Sequence, residues 1–206
     1  MKKILLSICC AFVATATFAQ VPSFGIRGGV NFASLSASNG NISISTGSTT
    51  TFAAGLFSDF KVGTNTTIQP ALNYMGKGGN ITGDDNTKVD IKTYYLQMPV
   101  NVVYHVPAGF GHVYLGAGPY VAFGLNGKVK GTDGSNTASQ DITFGSGPED
   151  FKRVDAGLNG IAGLEFNSGF LLGINYDLGL TDIGNDGSSE VSTKNRVFGI
   201  SIGFKF

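Results

Sequence analysis

The sequence predicts an all-β protein: an eight-stranded antiparallel up-and-down transmembrane β-barrel. The first observation is alternation, since every even position of residues 169–181 carries a large apolar side chain, and a period of two indicates a strand. The second is repetition, because seven further segments alternate in the same way. The third is composition: charged residues make up 14% of the chain and 31 of its 206 residues are glycine, against about 25% and about 7% in ordinary globular domains.

Four alternating segments lie in the first half of the chain. Each sets large apolar side chains on one face against small or polar ones on the other. The ranges, with their apolar residues, are 24–33 (Phe24, Ile26, Val30, Phe32), 50–61 (Phe52, Ala54, Leu56, Phe60), 66–76 (Ile68, Leu72, Tyr74) and 91–106 (Tyr94, Leu96, Met98, Val100, Val102, Tyr104). Pro70 and Pro99 fall inside the last two, and because proline cannot donate to a β-ladder, we expect bulges or strand ends there.

Four more segments follow in the second half. They are 110–125 (Val113, Leu115, Ala117, Val121, Phe123), 151–166 (Val154, Ala156, Leu158, Ala162, Leu164, Phe166), 169–181 (Phe170, Leu172, Ile174, Tyr176, Leu178, Leu180) and 194–206 (Phe198, Ile200, Ile202, Phe204, Phe206). Pro119 carries the same expectation of a bulge or strand end. Eight strands can close into a barrel if the first pairs with the eighth, which a bilayer requires because it cannot satisfy an open strand edge.

The connections between these strands alternate in length. Short turns cover residues 62–65, 107–109 and 167–168, and long loops rich in Gly, Ser, Thr, Asn and Asp cover 34–49, 77–90, 126–150 and 181–193. Long loops at one end and tight turns at the other are the layout of outer-membrane barrels.

Alternation alone does not say which face is wet, because a soluble barrel shows the same period. Three features favour apolar side chains that point toward lipid. A water-facing surface normally carries many Lys and Glu, glycine on an open strand surface weakens the strand without benefit, and lipid contact demands the nearly uncharged faces found here. The small and polar side chains would then fill the interior of a narrow barrel.

Residues 1–19 are predicted to be a secretory signal peptide, and residues 20–206 the barrel domain. Lys2 and Lys3 supply the basic end, an apolar run follows, and Ala19 ends a small-residue cleavage site. The expected destination is the outer membrane of the cell.

Cys9 and Cys10 both lie in this segment, so the mature chain would have no disulfide and no thiolate metal site. A lipoprotein signal at Cys9 is the alternative, but Ile8 is too bulky for the position before a lipidated cysteine. Loss of the signal lysines leaves 12 basic and 14 acidic residues, a side-chain charge of −2. This charge argues against nucleic acid as a partner, because binding it needs a basic stripe.

Short motifs along the chain resemble the outer-membrane β-barrel domain family of Gram-negative bacteria, which includes porin-family and gliding-motility-associated small barrels. The resemblance runs over about residues 24–206. It is carried by Gly25-Ile26-Arg27-Gly28-Gly29-Val30-Asn31-Phe32, Tyr95-Leu96-Gln97-Met98-Pro99-Val100, Gly116-Ala117-Gly118-Pro119-Tyr120, Asp155-Ala156-Gly157-Leu158-Asn159, Asn175-Tyr176-Asp177-Leu178-Gly179-Leu180-Thr181-Asp182-Ile183 and Gly203-Phe204-Lys205-Phe206.

This resemblance implies an eight-stranded barrel that the barrel-assembly machinery delivers to the outer membrane. It also implies that Phe204 and Phe206 belong to the aromatic assembly signal of such proteins. Gln97 departs from the acidic residue often found before the proline of the fourth strand, and the chain has no Trp, so an aromatic girdle must consist of Tyr and Phe. Members mostly lack an assigned activity and some act in protein secretion, so the family leaves the function open.

Eight ionisable residues are predicted to face the interior as a lumen charge network. Those expected toward the turn end are Arg27, Asp59, Lys61, Glu165 and Lys205, and those expected nearer the loop end are Arg153, Asp155 and Asp177. The first interpretation is a set of paired charges that fills the lumen, because unpaired buried charge is costly and eight strands leave room for little besides side chains. The alternative is a gate whose pairs rearrange to pass ions.

His105 and His112 flank the turn at residues 107–109. A hydrolase would need a histidine beside a serine and an orienting acid, and neither histidine has a nearby serine in the sequence. Two histidines without a third ligand also make a poor metal site. No enzyme activity, cofactor or metal is therefore expected.

The sequence thus favours a non-enzymatic outer-membrane barrel whose four extracellular loops serve binding or structural roles. A narrow ion or solute pore, or an accessory of an envelope secretion or assembly complex, remains the alternative. The expected partners are outer-membrane lipid, the barrel-assembly machinery and an unknown extracellular or envelope component.

Overall fold

The computed structural model describes residues 21–39, 42–83, 87–134, 136–145, 147, 151–184 and 192–206. The predicted signal peptide lies outside them and stays a prediction. These described residues form ten strands: β1 (Ser23–Asn39), β2 (Ile42–Ser45), β3 (Thr49–Lys61), β4 (Thr66–Thr82), β5 (Lys88–Ala108), β6 (Gly111–Asp133), β7 (Asn136–Asp141), β8 (Val154–Phe166), β9 (Phe170–Gly179) and β10 (Ser192–Lys205). Among the described residues, no helix is long and apolar enough to span a membrane.

Eight of these strands form a closed antiparallel ring. Hydrogen-bonded neighbours follow in the order β1, β3, β4, β5, β6, β8, β9, β10, and β10 pairs back with β1 from Gly25↔Lys205 to Ser38↔Ser192. Closure satisfies the backbone groups of both terminal strands, which lipid could not do. The predicted fold class, an all-β eight-stranded up-and-down barrel, is confirmed.

The ring is strongly staggered. Following paired residues once around it from Tyr94 of β5 leads back to Tyr104 of the same strand. A stagger of this size over eight strands corresponds to a strand tilt of about 40° from the barrel axis. Each residue therefore advances about 2.5 Å along the axis.

The predicted apolar faces point outward, as expected for a lipid-facing surface. On β9, Phe170 and Ile174 are 38% and 48% exposed, whereas Asp177 on the opposite face is 1% exposed. Aromatic contacts mark both ends of this surface: Phe52, Tyr74 and Tyr94 lie 5.4–5.8 Å apart toward the loops. Toward the turns, Phe166 lies 5.6 Å from Phe110 and 6.0 Å from Phe170. Two aromatic girdles bounding an apolar band are typical of outer-membrane barrels.

The predicted long loops are partly wrong. Strand β1 continues into the first loop and pairs there with β2, strands β4 and β5 extend through most of the second, and β6 continues into the third and pairs with β7. These hairpins pass beyond the apolar band. Their side chains are therefore polar, although their backbones remain paired. The short turns agree closely, since β3 ends at Lys61 and β4 begins at Thr66.

The expectation of bulges or strand ends at the prolines is also wrong. Pro70, Pro99 and Pro119 all lie within strands and are paired with Val100, Tyr120 and Leu158. The β3–β4 ladder is interrupted beside Pro70 but resumes in the same register, because a missing donor removes a bond without requiring an extra residue. The register shifts instead at Tyr94/Tyr95, where Leu125 of β6 is the additional residue.

Candidate functional site

The candidate site is the polar interior of the barrel. Seven of the eight ring strands contribute buried polar side chains at their inward positions: Asn31, Thr51, Asp59, Gln69, Lys77, Thr93, Gln97, Asn101, Asp155, Asn159, Asp177 and Asn195. The remaining ring strand, β6, contributes Tyr114 and Tyr120. Each position follows from alternation, because successive side chains of a strand point to opposite faces.

Asp155 is the centre of the interior toward the loop end. One of its carboxylate oxygens accepts hydrogen bonds from Lys77 Nζ at 2.9 Å, Asn195 Nδ2 at 3.0 Å and Tyr120 OH at 3.3 Å. The other accepts from Thr181 Oγ1 at 3.0 Å. We call these five residues the Asp155 cluster. Its donors come from β4, β6, β10 and the segment after β9, so it ties together parts of the chain that are distant in sequence.

Lys77 is fully buried, as is its partner Asp155. Its ammonium also lies 4.3 Å from the ring centroid of Tyr120 and 5.2 Å from that of Tyr95, where cation–π attraction adds to the ion pair. Lys77 falls in a segment predicted to be a loop, so its position inside the barrel was not predicted. The signal was present, because Lys77 continues the inward series Gln69, Ala71, Asn73, Met75 along the same strand.

The middle of the interior is filled by amides and one carboxylate. Asn101 donates to Asn159 at 2.7 Å, and Asn159 donates to Asp177 at 2.5 Å. A cavity of about 40 Å³ borders this series of hydrogen bonds and is lined by Arg27, Gln97 and Asp177 among others. Since one water molecule needs about 10–15 Å³ by this measure, the cavity has room for a few water molecules.

Arg27 lies between this cavity and a second one of about 20 Å³ nearer the turns, because both Arg27 and Tyr114 line the two cavities. The guanidinium of Arg27 lies 5.5 Å from the ring centroid of Phe57. No carboxylate of the described residues is within ion-pair distance of it. The structure thus brings Arg27 into the interior but gives it an aromatic partner in place of a charged one.

The turn end of the interior holds a second group of charges, which we call the turn-end cluster: Asp59, Gln69, His105, Glu165 and Lys205. Lys205 lies 3.5 Å from Asp59 and contacts Glu165 directly. Gln69 donates to Asp59 at 2.8 Å. Three of the residues expected at this end therefore meet one another, although they lie on β3, β8 and β10.

His105 connects a hydroxyl to a carboxylate within this cluster. Its Nε2 is 3.1 Å from Thr67 Oγ1, and its Nδ1 is 3.6 Å from Glu165 Oε2. This is the order of a nucleophile, a base and an orienting acid. However, the cavity beside His105 and Glu165 is about 20 Å³, far below the ~300 Å³ of even a small ligand pocket. In addition, the carboxylate of Glu165 contacts Lys205.

Two of the predicted interior charges lie apart from these groups. Lys61 is exposed at the end of β3 and has no carboxylate partner among the described residues. Arg153 precedes β8 instead of lying within it, and it is exposed. Its guanidinium donates to the carbonyl oxygen of Phe144 at 3.0 Å. Both were expected to be enclosed, and both lie where strand pairing ends, so solvent reaches them.

The loop end of the interior is covered by aromatic side chains. Phe144 is buried and packs edge-on against Tyr95 at 5.7 Å between ring centroids, in a cluster with Tyr120, Ala122 and Phe151. A Cβ on Gly124 would overlap the ring of Phe144, so glycine at that position leaves the space the ring occupies. Phe144 falls in a segment predicted to be a loop, and nothing in the sequence indicates that it returns to the barrel.

A polar tether fixes the start of the fourth loop. Asp182 accepts hydrogen bonds from Lys152 Nζ at 2.7 Å and from the backbone N–H groups of Thr193 at 2.8 Å and Gly184 at 3.2 Å. Burial by itself raises the pKa of Asp182, but these three hydrogen bonds outweigh it and lower the pKa below its ordinary value. The carboxylate is therefore held in its charged form.

At the opposite end, Phe204 and Phe206 are exposed on the outer surface. Phe206 forms backbone hydrogen bonds in both directions with Phe24, so the last residue is paired with the start of β1. Their role in assembly stays a prediction.

A closed ring with an apolar exterior and a polar interior defines the class of transmembrane β-barrels. Within that class, the family model described as "Outer membrane protein beta-barrel domain" matches residues 18–185. Because this match covers most of the chain, the protein belongs to the outer-membrane β-barrel domain family, and it resides in the cell outer membrane. The predicted family and localisation are confirmed.

Solved structures similar to the chain are also outer-membrane barrels. Ail, the attachment invasion locus protein of Yersinia pestis in complex with the heparin analogue sucrose octasulfate, is 15% identical with a TM-score of 0.43, covering 91% of this chain and 100% of that chain. Neisserial surface protein A is 13% identical with a TM-score of 0.46 and the same coverage. The N-terminal barrel domain of Pseudomonas aeruginosa OprF is 12% identical with a TM-score of 0.34, covering 86% and 97%. No curated protein sequence matches the chain significantly.

Proposed function

We propose that this protein is a non-enzymatic outer-membrane barrel whose lumen is closed by its own side chains and whose loop end serves a binding or structural role. The observation that carries the proposal is the size of the interior space. The two cavities that Arg27 borders among the described residues are about 40 and about 20 Å³, which supports a lumen too narrow for a solute. A solute pore needs an aqueous lumen, and the interior of an eight-stranded barrel is only just wide enough for side chains to fill.

The arrangement of charge supports a closed lumen. The Asp155 cluster obstructs the loop end and the turn-end cluster the other, and each is held by ion pairs between different strands. Removing one member of a buried pair leaves the other uncompensated, which is strongly unfavourable. Passing ions would require both clusters to separate.

The loop end supports a role in contact with the exterior. Strands β4, β5, β6 and β7 continue as one sheet beyond the ring, and all six residues of β7 are exposed. Paired backbone makes this extension a firm surface, as recognition sites on a rigid scaffold commonly are. The cavity that His105 lines among the described residues is only about 20 Å³, which supports a function without catalysis.

Conductance of the purified barrel in planar bilayers tests this proposal. We expect no steady open channel for the wild-type protein. A steady conductance that changes in the variant Arg27→Ala would contradict the closed lumen and favour the narrow pore, because Arg27 separates the two cavities. A known porin in the same bilayer provides the positive control.

A role as an accessory of a secretion or assembly complex is tested separately, by purification from native membranes. Stoichiometric recovery of envelope proteins with the barrel would favour that alternative. Recovery of the barrel alone, with a silent bilayer recording, agrees with the proposal.

A further inference from the structure

The outward surface changes character at its loop end, where positively charged side chains replace apolar ones. We call this set the basic collar: Lys92 on β5, Lys128 and Lys130 on β6, and Lys194 and Arg196 on β10. Lys92 and Lys128 form ion pairs with Asp90 at 3.3 Å and Asp141 at 3.7 Å. The other three have no carboxylate partner among the described residues. Five cations against two carboxylates give this surface a positive charge, although the whole chain carries equal numbers of basic and acidic residues.

The bulge in β6 aims two of these lysines outward. Below it, odd-numbered residues such as Leu115 and Phe123 are exposed and even-numbered ones face the interior. The extra residue Leu125 shifts the register, so the even-numbered Lys128 and Lys130 are the exposed ones above it. Without the bulge, the alternation would turn both lysines inward.

The collar lies directly above the apolar band. Lys194 and Arg196 lie within about 5 Å of the height of Tyr94 along the barrel axis, and Lys92, Lys128 and Lys130 lie about 5–13 Å above it, from the strand tilt and register. Tyr94 belongs to the aromatic group that marks the loop-end border of the band. Side chains at these heights meet the head groups of the leaflet that faces the loops.

The opposite border of the band differs. At the turn end, the outward positions of the described strands carry aromatic and aliphatic residues such as Tyr104, Phe170 and Phe204 and no Lys or Arg. The charges of the turn-end cluster all face the interior. Within the described strands, cations at outward positions therefore lie at the loop-end border only, which general solubility of a membrane protein would not require.

We propose that the basic collar binds the phosphate groups of a phosphorylated glycolipid in the outer leaflet. Short turns face the periplasm and long loops the exterior in such barrels, which places the collar in the outer leaflet. Lysine binds phosphate as a point charge and arginine through a fork of donors. Because the collar continues the lipid-facing surface, the ligand reaches it with its acyl chains already against the apolar band.

Lipid retention measured by native mass spectrometry tests this site. The refolded barrel in neutral detergent is titrated with bis-phosphorylated lipid A and, in a second series, with the same lipid after enzymatic dephosphorylation. We expect preferential retention of the phosphorylated form. Equal retention of the two forms would overturn the proposal.

Variants that each remove one basic residue distinguish binding at the collar from a general effect of positive charge. Lys130→Gln and Arg196→Gln should each weaken retention about fivefold, the effect of one basic residue at an anionic surface. Lys61→Gln, which removes an exposed and unpaired lysine at the turn end, should change nothing. If Lys61→Gln weakens retention as much as Lys130→Gln, the collar is not the site.

One variant should increase lipid retention. Misfolding could explain a loss of retention but not a gain. Asp90→Asn removes a carboxylate that pairs with Lys92 and faces the same surface, so retention of phosphorylated lipid A should rise; a fall would contradict the proposal. A soluble sulfated polysaccharide serves as the competing ligand. If it binds the barrel and displaces the lipid at equal charge, the collar serves a soluble polyanion and the lipid assignment fails.

Discussion

The variant Lys77→Met removes the cation of the Asp155 cluster and keeps the length of the side chain. Lys77 and Asp155 are both fully buried and 2.9 Å apart, so the variant leaves a carboxylate in the interior without its counter-ion. Losing one partner of a buried pair costs about 3–5 kcal/mol. Because Asn195, Tyr120 and Thr181 still donate to Asp155, we expect the lower value, a loss of about 3 kcal/mol.

The assay is urea unfolding of the barrel in phosphatidylcholine vesicles, followed by far-ultraviolet circular dichroism and by heat-modifiable migration on a denaturing gel. Lys61→Met is the matched control, because this lysine is exposed and should change the free energy of unfolding by less than about 0.5 kcal/mol. The double variant Lys77→Met/Asp155→Asn removes both charges and should cost less than the sum of the single variants. If Lys77→Met unfolds at the wild-type urea concentration, the Asp155 cluster does not stabilise the barrel and the reasoning is refuted.

Three further predictions concern the interior and its borders. Gly173→Ala places a Cβ where the hydroxyl of Tyr114 lies and should destabilise the barrel by about 1–3 kcal/mol, whereas at Gly160 the nearest atom to a new Cβ is 3.9 Å away and Gly160→Ala should unfold like the wild type. Gly124→Ala should displace Phe144 and increase protease cleavage near residue 144 at the loop end; unchanged cleavage would argue against the packing of that ring. Since the pKa of Asp182 is lowered in the folded protein, its contribution is complete above the ordinary aspartate pKa and is lost as the pH falls through the lowered value. Hydrogen exchange at the amides of Thr193 and Gly184 should therefore lose protection at acid pH, and Asp182→Asn should lose it at neutral pH.

Period-two alternation predicted most of the barrel correctly. Phe170 and Ile174 point outward and Asp177 inward, because a single assignment of faces fixes every second residue of a strand. The same rule would have placed Lys77 inside the barrel. The prediction stopped the strand at residue 76 because polar residues follow, yet polarity there reflects the end of the lipid band and not the end of pairing.

Contacts between distant residues could not be predicted in this way. Nothing near Leu125 in the sequence marks a bulge, since the register shift depends on how β5 and β6 align over their whole length. Phe144 follows a segment rich in glycine and serine and lies in the interior. Its place against Tyr95 depends on the shape of the loop end of the barrel. The pairing of His105 with Thr67 and Glu165 joins three strands whose order is known only once the ring is closed. Charge alone indicated that Asp155 needs a partner but not which cation supplies it.

The Asp155 cluster also bears on the order in which the barrel can form. Its donors include Lys77 from an early hairpin and Asn195 from the final strand, so the cluster is complete only after the chain's last segment has arrived. Until the seam between β1 and β10 joins, the ammonium and the carboxylate can stay hydrated from the open side. We therefore expect Lys77 and Asp155 to lose their water as the seam closes. An incomplete barrel would then not bring a dehydrated charge into the membrane.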